Sequence, residues 1–267
     1  MGVAEASAHG GRSSIRGLRS RRENIAKLVI DAGSLSVEDL ADLMGVSTMT
    51  IYRDVAALEE QRLVTLLRGS VYAMASTLNE ASAEFRMGEN VSTKEAFVRA
   101  VEPLIKSRAS VMVDDSTSGI FVISQVAETR PLTVITNSLL AAREVEGQSE
   151  VSLQIIGGEY QKWAEASCGT AALRQIEDLR ADFSIMSASA ISGGACYHPY
   201  RQIADVKQAM LKASEVRILL ADGSKFSRRS LYRFADLNDF EYVITDPSIP
   251  PEALEKLDSL PGKVIVA

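Results

Sequence analysis

The sequence predicts an α/β protein in two parts, a winged helix-turn-helix followed by an open, mainly parallel α/β sheet. The first prediction comes from residues 21–75, where short apolar stripes with helical spacing precede a compact pair of strands. The second comes from the remaining chain, where continuous apolar runs alternate with helical patterns, as is typical of a covered parallel sheet. With 267 residues, 46% of them hydrophobic, the chain is long and apolar enough for two domains.

Composition divides the chain into four segments. Residues 1–20 are rich in glycine, serine and arginine without periodicity, and they predict a disordered basic arm that is either a tail or a DNA contact. Residues 21–75 form the helical unit, and the more polar residues 76–94 are predicted to be a linker. Residues 95–267 are then the α/β domain.

Three helices are predicted in the first unit, with a signal at each boundary. A first helix ends at Gly33, and Ser36 begins a second helix that Gly45 ends. Ser47 caps a third helix that runs to about Gln61. Two short helices joined by so brief a break predict a helix-turn-helix, although three small helices can also form a module for protein contact.

The third helix and the strands after it carry groups suited to DNA. With Ile51 pointing inward, Arg53 lies on the opposite face, where it can grip a guanine or a phosphate. Apolar runs at 63–67 and 71–73 flank Arg68, which predicts a hairpin with this arginine at its tip, the shape of a wing. The candidate DNA-binding residues are Ser47, Thr48, Met49, Thr50, Tyr52, Arg53 and Arg68.

Charge and composition bound the function classes. The net charge is −6, but residues 1–75 balance nine basic against nine acidic residues, and residues 12–22 contain five arginines and no acid. Two cysteines outside any CxxC pair exclude a zinc finger or a disulfide scaffold, and two histidines predict no metal site and no cofactor. The sequence has no apolar run of the roughly 20 residues that a membrane span needs, and no signal core. It therefore predicts a cytoplasmic protein without a membrane partner.

The α/β domain is predicted from its alternating pattern. Seven strands are expected, at residues 110–114, 132–136, 151–156, 182–187, 216–221, 241–245 and 263–266. Helices are expected between most of them, near residues 94–107, 118–128, 138–146, 169–180, 202–214 and 251–259.

Polar residues and glycines recur where these strands end, and ligands of open parallel sheets bind at the carboxyl ends of the strands. Hydroxyl and N–H groups of the loop at 115–119 can hold a phosphate, Asp115 can accept from sugar hydroxyls, and Lys225 adds a positive charge. The candidate effector-binding residues are Asp115, Ser116, Thr117, Ser118, Gly119, Asn137, Gly157, Gly158 and Lys225. His198 lies in YHPYR, which favours a surface turn over a ligand contact.

Residues 46–59, VSTMTIYRDVAALE, resemble the N-terminal signature of DeoR-family regulators. The family usually has a second arginine where Tyr52 stands, and a glycine at Gln61 or Arg62. Further along, 115–118 stands where the family has Asp-Gly-Thr-Thr. Other motifs follow in the family order, at 136–137, 157–158, 205–210, 224–226 and 244–246.

The resemblance implies a DNA-binding repressor of carbohydrate-metabolism genes, with an isomerase-like sensor domain and a phosphorylated sugar as effector. Symmetric operator recognition implies a homo-oligomer, either a dimer or a tetramer. No residue is expected to be catalytic. Two alternatives remain at this stage. One is a sugar-phosphate isomerase with an appended helical module, and the other is a nucleic-acid-binding scaffold with a degenerate pocket.

Overall fold

The computed structural model describes residues 21–74, except residues 23 and 31, and residues 81–267. The predicted basic arm at 1–20 lies outside the described residues. The described residues form two compact units, one of residues up to 82 and one of residues 83–267.

The first unit contains three helices and a small antiparallel sheet. In chain order its elements are α1 (residues 24–30), β1 (Ser34–Ser36), α2 (Val37–Met44), α3 (Thr48–Glu60), β2 (Val64–Leu67) and β3 (Ser70–Ala73). The predicted signals at the helix ends are confirmed. The Ser36 hydroxyl accepts the Asp39 N–H at 3.0 Å, and the Ser47 hydroxyl accepts the Thr50 N–H at 3.3 Å. Gly45 ends α2 in the left-handed conformation.

The predicted wing is a hairpin of β2 and β3, which pair antiparallel. Its two-residue turn places Arg68 at φ 50° and Gly69 at φ 79°, the backbone sign that matches the right-handed twist of the strands. The prediction missed β1, which pairs with the other side of β3 and extends the wing to three strands. Arg62 also has a positive φ, 59°, which accounts for a family preference for glycine near this position.

The second unit is built on one seven-stranded sheet. Its helices are α4 (Ala83–Met87), α5 (Val91–Val101), α6 (Thr117–Thr129), α7 (Leu139–Val145), α8 (Thr170–Glu177), α9 (Arg201–Lys212) and α10 (Pro251–Leu257). The seven strands of the sheet are β4 (Ser110–Val113), β5 (Leu132–Thr136), β6 (Val151–Ile155), β9 (Ala181–Ser187), β12 (Ser214–Leu220), β14 (Tyr242–Thr245) and β15 (Lys263–Val266). They are the seven predicted strands, every neighbouring pair is parallel, and the order is β15-β14-β12-β9-β4-β5-β6.

Side chains alternate between two apolar cores on the two faces of this sheet. In β4, Val111 and Val113 join one core with residues of α5, α6 and α7, whereas Met112 joins the other with residues of α8, α9 and α10. Leu219 of β12 likewise faces the second core, between Ile218 and Leu220 of the first. The centre of the sheet is therefore covered on both faces, which explains why β4 and β5 are nearly continuous apolar runs, whereas the edge strand β6 alternates apolar with polar residues.

Part of the predicted linker at 76–94 is structured. Residues 83–94 form α4 and the first turn of α5, and they belong to the second unit. The segment is polar in sequence, yet Lys94 is buried because its ammonium donates to the carbonyls of Arg86 and Met87 at 2.6 and 3.1 Å. Satisfied polar groups of this kind cannot be distinguished from solvated ones by composition.

Five short strands were also not predicted. β7 (Glu159–Gln161) and β8 (Ala166–Cys168) form a hairpin, and β10 (Ala190–Ser192), β11 (Ala195–His198) and β13 (Tyr232–Asp236) form a small antiparallel sheet. Most of the strands in the large sheet show a run of apolar residues, but these five are short and mix polar with small residues, so the sequence contains no comparable signal for them. His198 is the last residue of β11 and is 2% exposed, so the predicted surface turn is wrong at this residue.

The order of the large sheet places a switch point between β4 and β9. β5 and β6 follow β4 on one side, whereas β12, β14 and β15 continue from β9 on the other. Loops that leave the carboxyl ends of β4 and β9 therefore diverge, and this divergence opens the crevice in which doubly wound sheets hold ligands. Of the candidate effector residues, the loop at 115–119 follows β4 directly.

Candidate functional site

The outward face of α3 carries the candidate DNA-binding residues. Ile51, Val55 and Leu58 are buried in the first unit, while Met49 is 60% exposed and Tyr52 is 41% exposed. Ser47, Thr48 and Arg53 are exposed, Thr50 is half-buried, and Arg68 is exposed at the tip of the wing. The helix thus offers one guanidinium, hydroxyls and a thioether from its first two turns, groups that pair with guanine, phosphate and the thymine methyl respectively.

The inward face of α3 contains one carboxylate, Asp54, whose side chain is 2% exposed. Arg21 and Arg22 donate through Nε to its two oxygens at 2.6 and 2.9 Å. These two arginines belong to the basic cluster at 12–22 that was considered for DNA contact. In the structure they bind a buried acid instead, so they fasten the N-terminal end of the unit to α3.

The wing is fastened to α3 by Glu59. Its Oε1 accepts the Leu66 N–H at 2.7 Å and the Thr65 hydroxyl at 3.4 Å. β2 is an edge strand, so its outward N–H groups need partners from outside the sheet. This carboxylate therefore sets the position of the wing, and of Arg68 at its tip, relative to α3.

We expect Glu59→Ala to lower DNA affinity about fivefold, because a hydrogen bond of about 1 kcal/mol that positions the wing is lost. Glu59→Gln is the matched control, since its amide oxygen can still accept the Leu66 N–H. Fluorescence anisotropy on operator DNA gives the affinities. Arg68→Ala should then cost less in the Glu59→Ala background than in the wild type. Strictly additive losses would contradict a role of Glu59 in placing the wing.

At the switch point of the large sheet, a buried lysine lies between two buried carboxylates. Lys207 of α9 approaches Asp114 Oδ2 at 2.5 Å and Asp115 Oδ1 at 3.2 Å, and all three side chains are at most 3% exposed. The other oxygen of Asp114 accepts the Ser116 N–H at 2.9 Å. The sequence prediction included Asp115 but missed Asp114 and Lys207, which lie 93 residues apart.

The loop after β4 is held together by its own polar groups. The Ser116 hydroxyl caps α6 by accepting the Gly119 N–H at 3.3 Å, and the Thr117 hydroxyl contacts the Arg86 carbonyl at 3.4 Å. Ser118 is half-buried. A Cβ at Gly119 would lie 2.9 Å from the Ser116 Oγ and 3.3 Å from the Ile185 carbonyl. The glycine therefore allows α6 to pass close to β9, a packing reason that stands beside the predicted ligand contact.

Asn137 follows β5, and the nitrogen of its side-chain amide is already hydrogen-bonded within the protein. Its Nδ2 donates to the Ser167 carbonyl of β8 at 2.8 Å, while its buried Oδ1 has no hydrogen-bond donor among the described residues. At the end of β6, the N–H and carbonyl of Gly157 both bind Gln175 at 3.2 Å. A Cβ at Gly158 would lie 2.5 Å from the Cys168 carbonyl. Asn137 therefore offers an acceptor, and close packing explains the glycine at Gly158, whereas a Cβ at Gly157 would meet only Gln175 at 3.8 Å.

Three cations gather at the same edge of the sheet. The pKa of Lys94 is lowered from 10.5 to about 8, chiefly by burial and also by the positive charges of Arg86 and Lys225, while Glu89 and Asp222 act in the opposite direction. Lys225 lies 3.9 Å from Asp222 Oδ2. Sequence reasoning missed Arg86 and Lys94 because they fall in the segment predicted as a linker. Lys94 is therefore a buried ammonium within electrostatic reach of two further positive charges.

Asp246, after β14, closes this edge. It accepts the Gly223 N–H, the Ser248 N–H and hydroxyl, and the Thr93 hydroxyl of α5 at 2.6 to 3.2 Å. Burial alone would raise its pKa, but these bonds together hold the pKa below its usual value. The carboxylate therefore stays charged and anchors α5, and with it Lys94, over the ends of β12 and β14.

Both cysteines are buried thiols. Burial raises the pKa of Cys168 to about 11, with help from the charges of Asp115 and Glu159, and burial also raises the pKa of Cys196. Neither is a nucleophile at neutral pH. Within the described ranges, no helix is long and apolar enough to cross a membrane.

Comparison with known proteins decides the family. Residues 21–77 match the model of the DeoR-like helix-turn-helix domain, and residues 89–247 match that of the DeoR C-terminal sensor domain. The chain belongs to the DeoR family. The matched regions contain α3, the wing, the loop after β4 and most of the large sheet. The predicted resemblance is therefore confirmed in both units of the chain.

Individual relatives agree with this assignment to the DeoR family. The chain is 30% identical to the glycerol-3-phosphate regulon repressor of Haemophilus influenzae, over 84% of this chain and 88% of that protein. It is 28% identical to the putative aga operon transcriptional repressor of Escherichia coli O157:H7, over 96% of each. Ribose 5-phosphate isomerase A of Methanocaldococcus jannaschii is similar at 12% identity and a TM-score of 0.38, over 52% of this chain and 55% of that one. This DeoR-family chain is a DNA-binding transcriptional regulator and not an enzyme.

Proposed function

We propose that this protein represses genes of carbohydrate metabolism and is released from its operator by a phosphorylated sugar. Two of its relatives are named as repressors, one of the glycerol-3-phosphate regulon and one of an aga operon. The strongest support in this chain for a phosphorylated sugar as effector is the arrangement of charge at one edge of the sheet. Cationic side chains and side chains that accept from hydroxyl groups lie at that edge, but in two separate groups.

The phosphate would bind at the cationic group. Arg86, Lys94 and Lys225 repel one another, and a phosphate dianion would relieve that repulsion while forming charge-assisted hydrogen bonds. Thr117 and Ser118 are the first two residues of α6, a helix of 13 residues that begins just after the loop following β4, so their side chains and the first N–H groups of the helix belong to the same turn. The proposed phosphate site therefore retains Thr117, Ser118 and Lys225, which belong to the predicted set, and adds Arg86 and Lys94.

The sugar hydroxyls would bind at the acceptor group, Asp115 and Asn137. Both follow neighbouring strands, β4 and β5, and both side chains are buried. A carboxylate and an amide oxygen accept hydrogen bonds from hydroxyl groups and would be repelled by a phosphate. The effector would therefore lie with its phosphate toward α5 and its hydroxyls toward β5.

The DNA-binding residues are proposed on exposure and chemistry. Ser47, Thr48, Met49, Thr50, Tyr52 and Arg53 of α3 would enter the major groove, and Arg68 would contact the adjacent backbone from the wing. Two copies of the chain, as a dimer or within a tetramer, would place two such helices on a symmetric operator. The effector would bind more tightly to the DNA-free arrangement, because only differential affinity can release DNA.

The test is fluorescence anisotropy of the full chain on DNA from its own upstream region, titrated with glycerol 3-phosphate, pentose 5-phosphates and hexose 6-phosphates. We expect sequence-selective binding that weakens with salt, and release by one class of these compounds. Arg53→Ala should weaken DNA binding about tenfold while binding of the releasing compound, measured by calorimetry, is unchanged. Tighter DNA binding on adding the compound would instead indicate an activator, and no response to any compound would refute the proposed effector class.

A further inference from the structure

Lys207 is an unusual residue for a ligand-binding domain, because it is buried yet belongs to neither group of the proposed site. Its ammonium contacts two carboxylates, those of Asp114 and Asp115, and it lies 6.0 Å from the centre of the Phe234 ring. Taking three charges out of water is costly unless their geometry is well satisfied. A neutral apolar residue at this position of α9 would pack there without the cost of desolvating a charge, so the presence of a lysine calls for an explanation.

The charges of this cluster do not cancel. One ammonium against two carboxylates leaves the group of three side chains anionic. The charge of Asp115 also contributes to the raised pKa of Cys168, so the carboxylate lies within electrostatic reach of that thiol. An anionic cluster suits hydroxyl donors and repels phosphate, in contrast to the group around Lys94.

The carboxylates of Asp114 and Asp115 differ in the contacts that they make. Asp114 uses Oδ1 to accept the Ser116 N–H of the loop and Oδ2 to accept from Lys207 of α9, so both its oxygens are occupied by groups of the protein. Asp115 meets Lys207 at 3.2 Å, a longer and weaker contact than the 2.5 Å contact of Asp114. Lys207 can therefore orient Asp115 without using up its capacity to accept further hydrogen bonds.

We propose that Lys207 is a positioning residue for sugar recognition: it does not touch the effector but holds the Asp115 carboxylate where it accepts an effector hydroxyl. This inference rests on the proposed function. A lysine that served only to neutralise the two aspartates would matter for folding but would have no particular tie to Asp115. A lysine that positions Asp115 makes the contribution of that residue to effector binding depend on Lys207.

The experiment is a double-mutant cycle on effector binding, measured by calorimetry with the compound that releases DNA from the wild-type chain. Lys207→Met is made together with Asp114→Asn, because Lys207→Met alone would leave two buried carboxylates without their cation and could prevent folding. The amide oxygen that Asp114→Asn introduces can still accept the Ser116 N–H. We expect this double variant to bind operator DNA normally and to lose on the order of tenfold in effector affinity. Lys212→Met, on the exposed last turn of the same helix, is the matched control.

Asp115→Asn completes the cycle. It should lose effector affinity in the wild-type background, but should add little to the loss once Lys207 and Asp114 are changed. Additive losses, or unchanged effector affinity in the Lys207→Met, Asp114→Asn variant, would overturn the inference while leaving the proposed function intact. A wild-type chain that none of the compounds releases would refute the proposed function, and this inference with it.

Discussion

Lys225→Met combined with Lys94→Met is expected to make the protein almost insensitive to its effector. The effector concentration needed to release DNA should rise at least a hundredfold in this double variant. Each substitution removes an ammonium that would bond a phosphate oxygen, and a charged hydrogen bond is worth about 1.5–3 kcal/mol. DNA affinity should remain near that of the wild type, because both residues lie in the second unit. The measurement is effector-induced release of labelled operator.

The pH dependence of release provides a second measurement of the same site. Lys94 loses its proton near pH 8, in the field of Arg86, Lys225, Asp222 and Glu89. A sugar phosphate is already a dianion above about pH 7, so only the lysine titrates in this range. Effector affinity should thus be steady between about pH 7 and 7.5 and fall as the pH rises through 8. The fall should disappear in Lys94→Met.

Lys256→Met, an exposed lysine on α10, is the control for both measurements. It changes the net charge by the same amount without touching the cationic group. Equal loss of response in Lys256→Met and Lys225→Met would mean that net charge, and not a phosphate subsite, sets the response. A response that persists in Lys225→Met would remove Lys225 from the site.

The elements that could be predicted from the sequence are those determined by a local feature, such as an apolar run or a capping residue. All seven strands of the large sheet were predicted, and the signal is clearest in central strands such as β4 and β5, which are buried on both faces and are therefore nearly continuous apolar runs. The caps Ser36 and Ser47 were predicted because a side-chain oxygen followed by a helical stripe is a local signal. The switch point was not, because strand order depends on contacts between segments distant in the sequence.

The site shows the same division. Asp115, Asn137 and Lys225 were predicted because each follows an apolar strand. Lys207 was missed because it lies within an amphipathic helix, where a lysine is ordinarily solvated, and its burial depends on Asp114 far away in the chain. Arg86 and Lys94 were missed for the opposite reason, since their polar surroundings predicted no structure at all.

The balanced charge of residues 1–75 also has a structural explanation, and Asp54 provides it. This acid lies on the recognition helix itself, yet it is turned inward and paired with Arg21 and Arg22. It therefore does not place negative charge on the face that carries Arg53. Net charge counts such an acid against DNA binding, whereas its position makes it part of the scaffold.

We expect Asp54→Ala to destabilise the first unit by about 2–3 kcal/mol, among the largest effects of any single change there. Two arginines lose a buried partner, but their side chains are 26% and 29% exposed and can be rehydrated, which keeps the loss below that of a fully buried pair. Hydrogen exchange of the α3 amides measures the change without requiring the whole chain to unfold in one step.

Two variants make this test specific. Asp54→Asn keeps the shape and one acceptor oxygen, so its loss should be intermediate and should isolate the contribution of charge. Asp42→Ala removes an exposed carboxylate from α2 and should change stability by no more than about 0.5 kcal/mol. If the α3 amides were as well protected in Asp54→Ala as in Asp42→Ala, the paired arginines would contribute nothing to the fold. They would then be free to serve the DNA after all, and the basic cluster at 12–22 would regain its first interpretation.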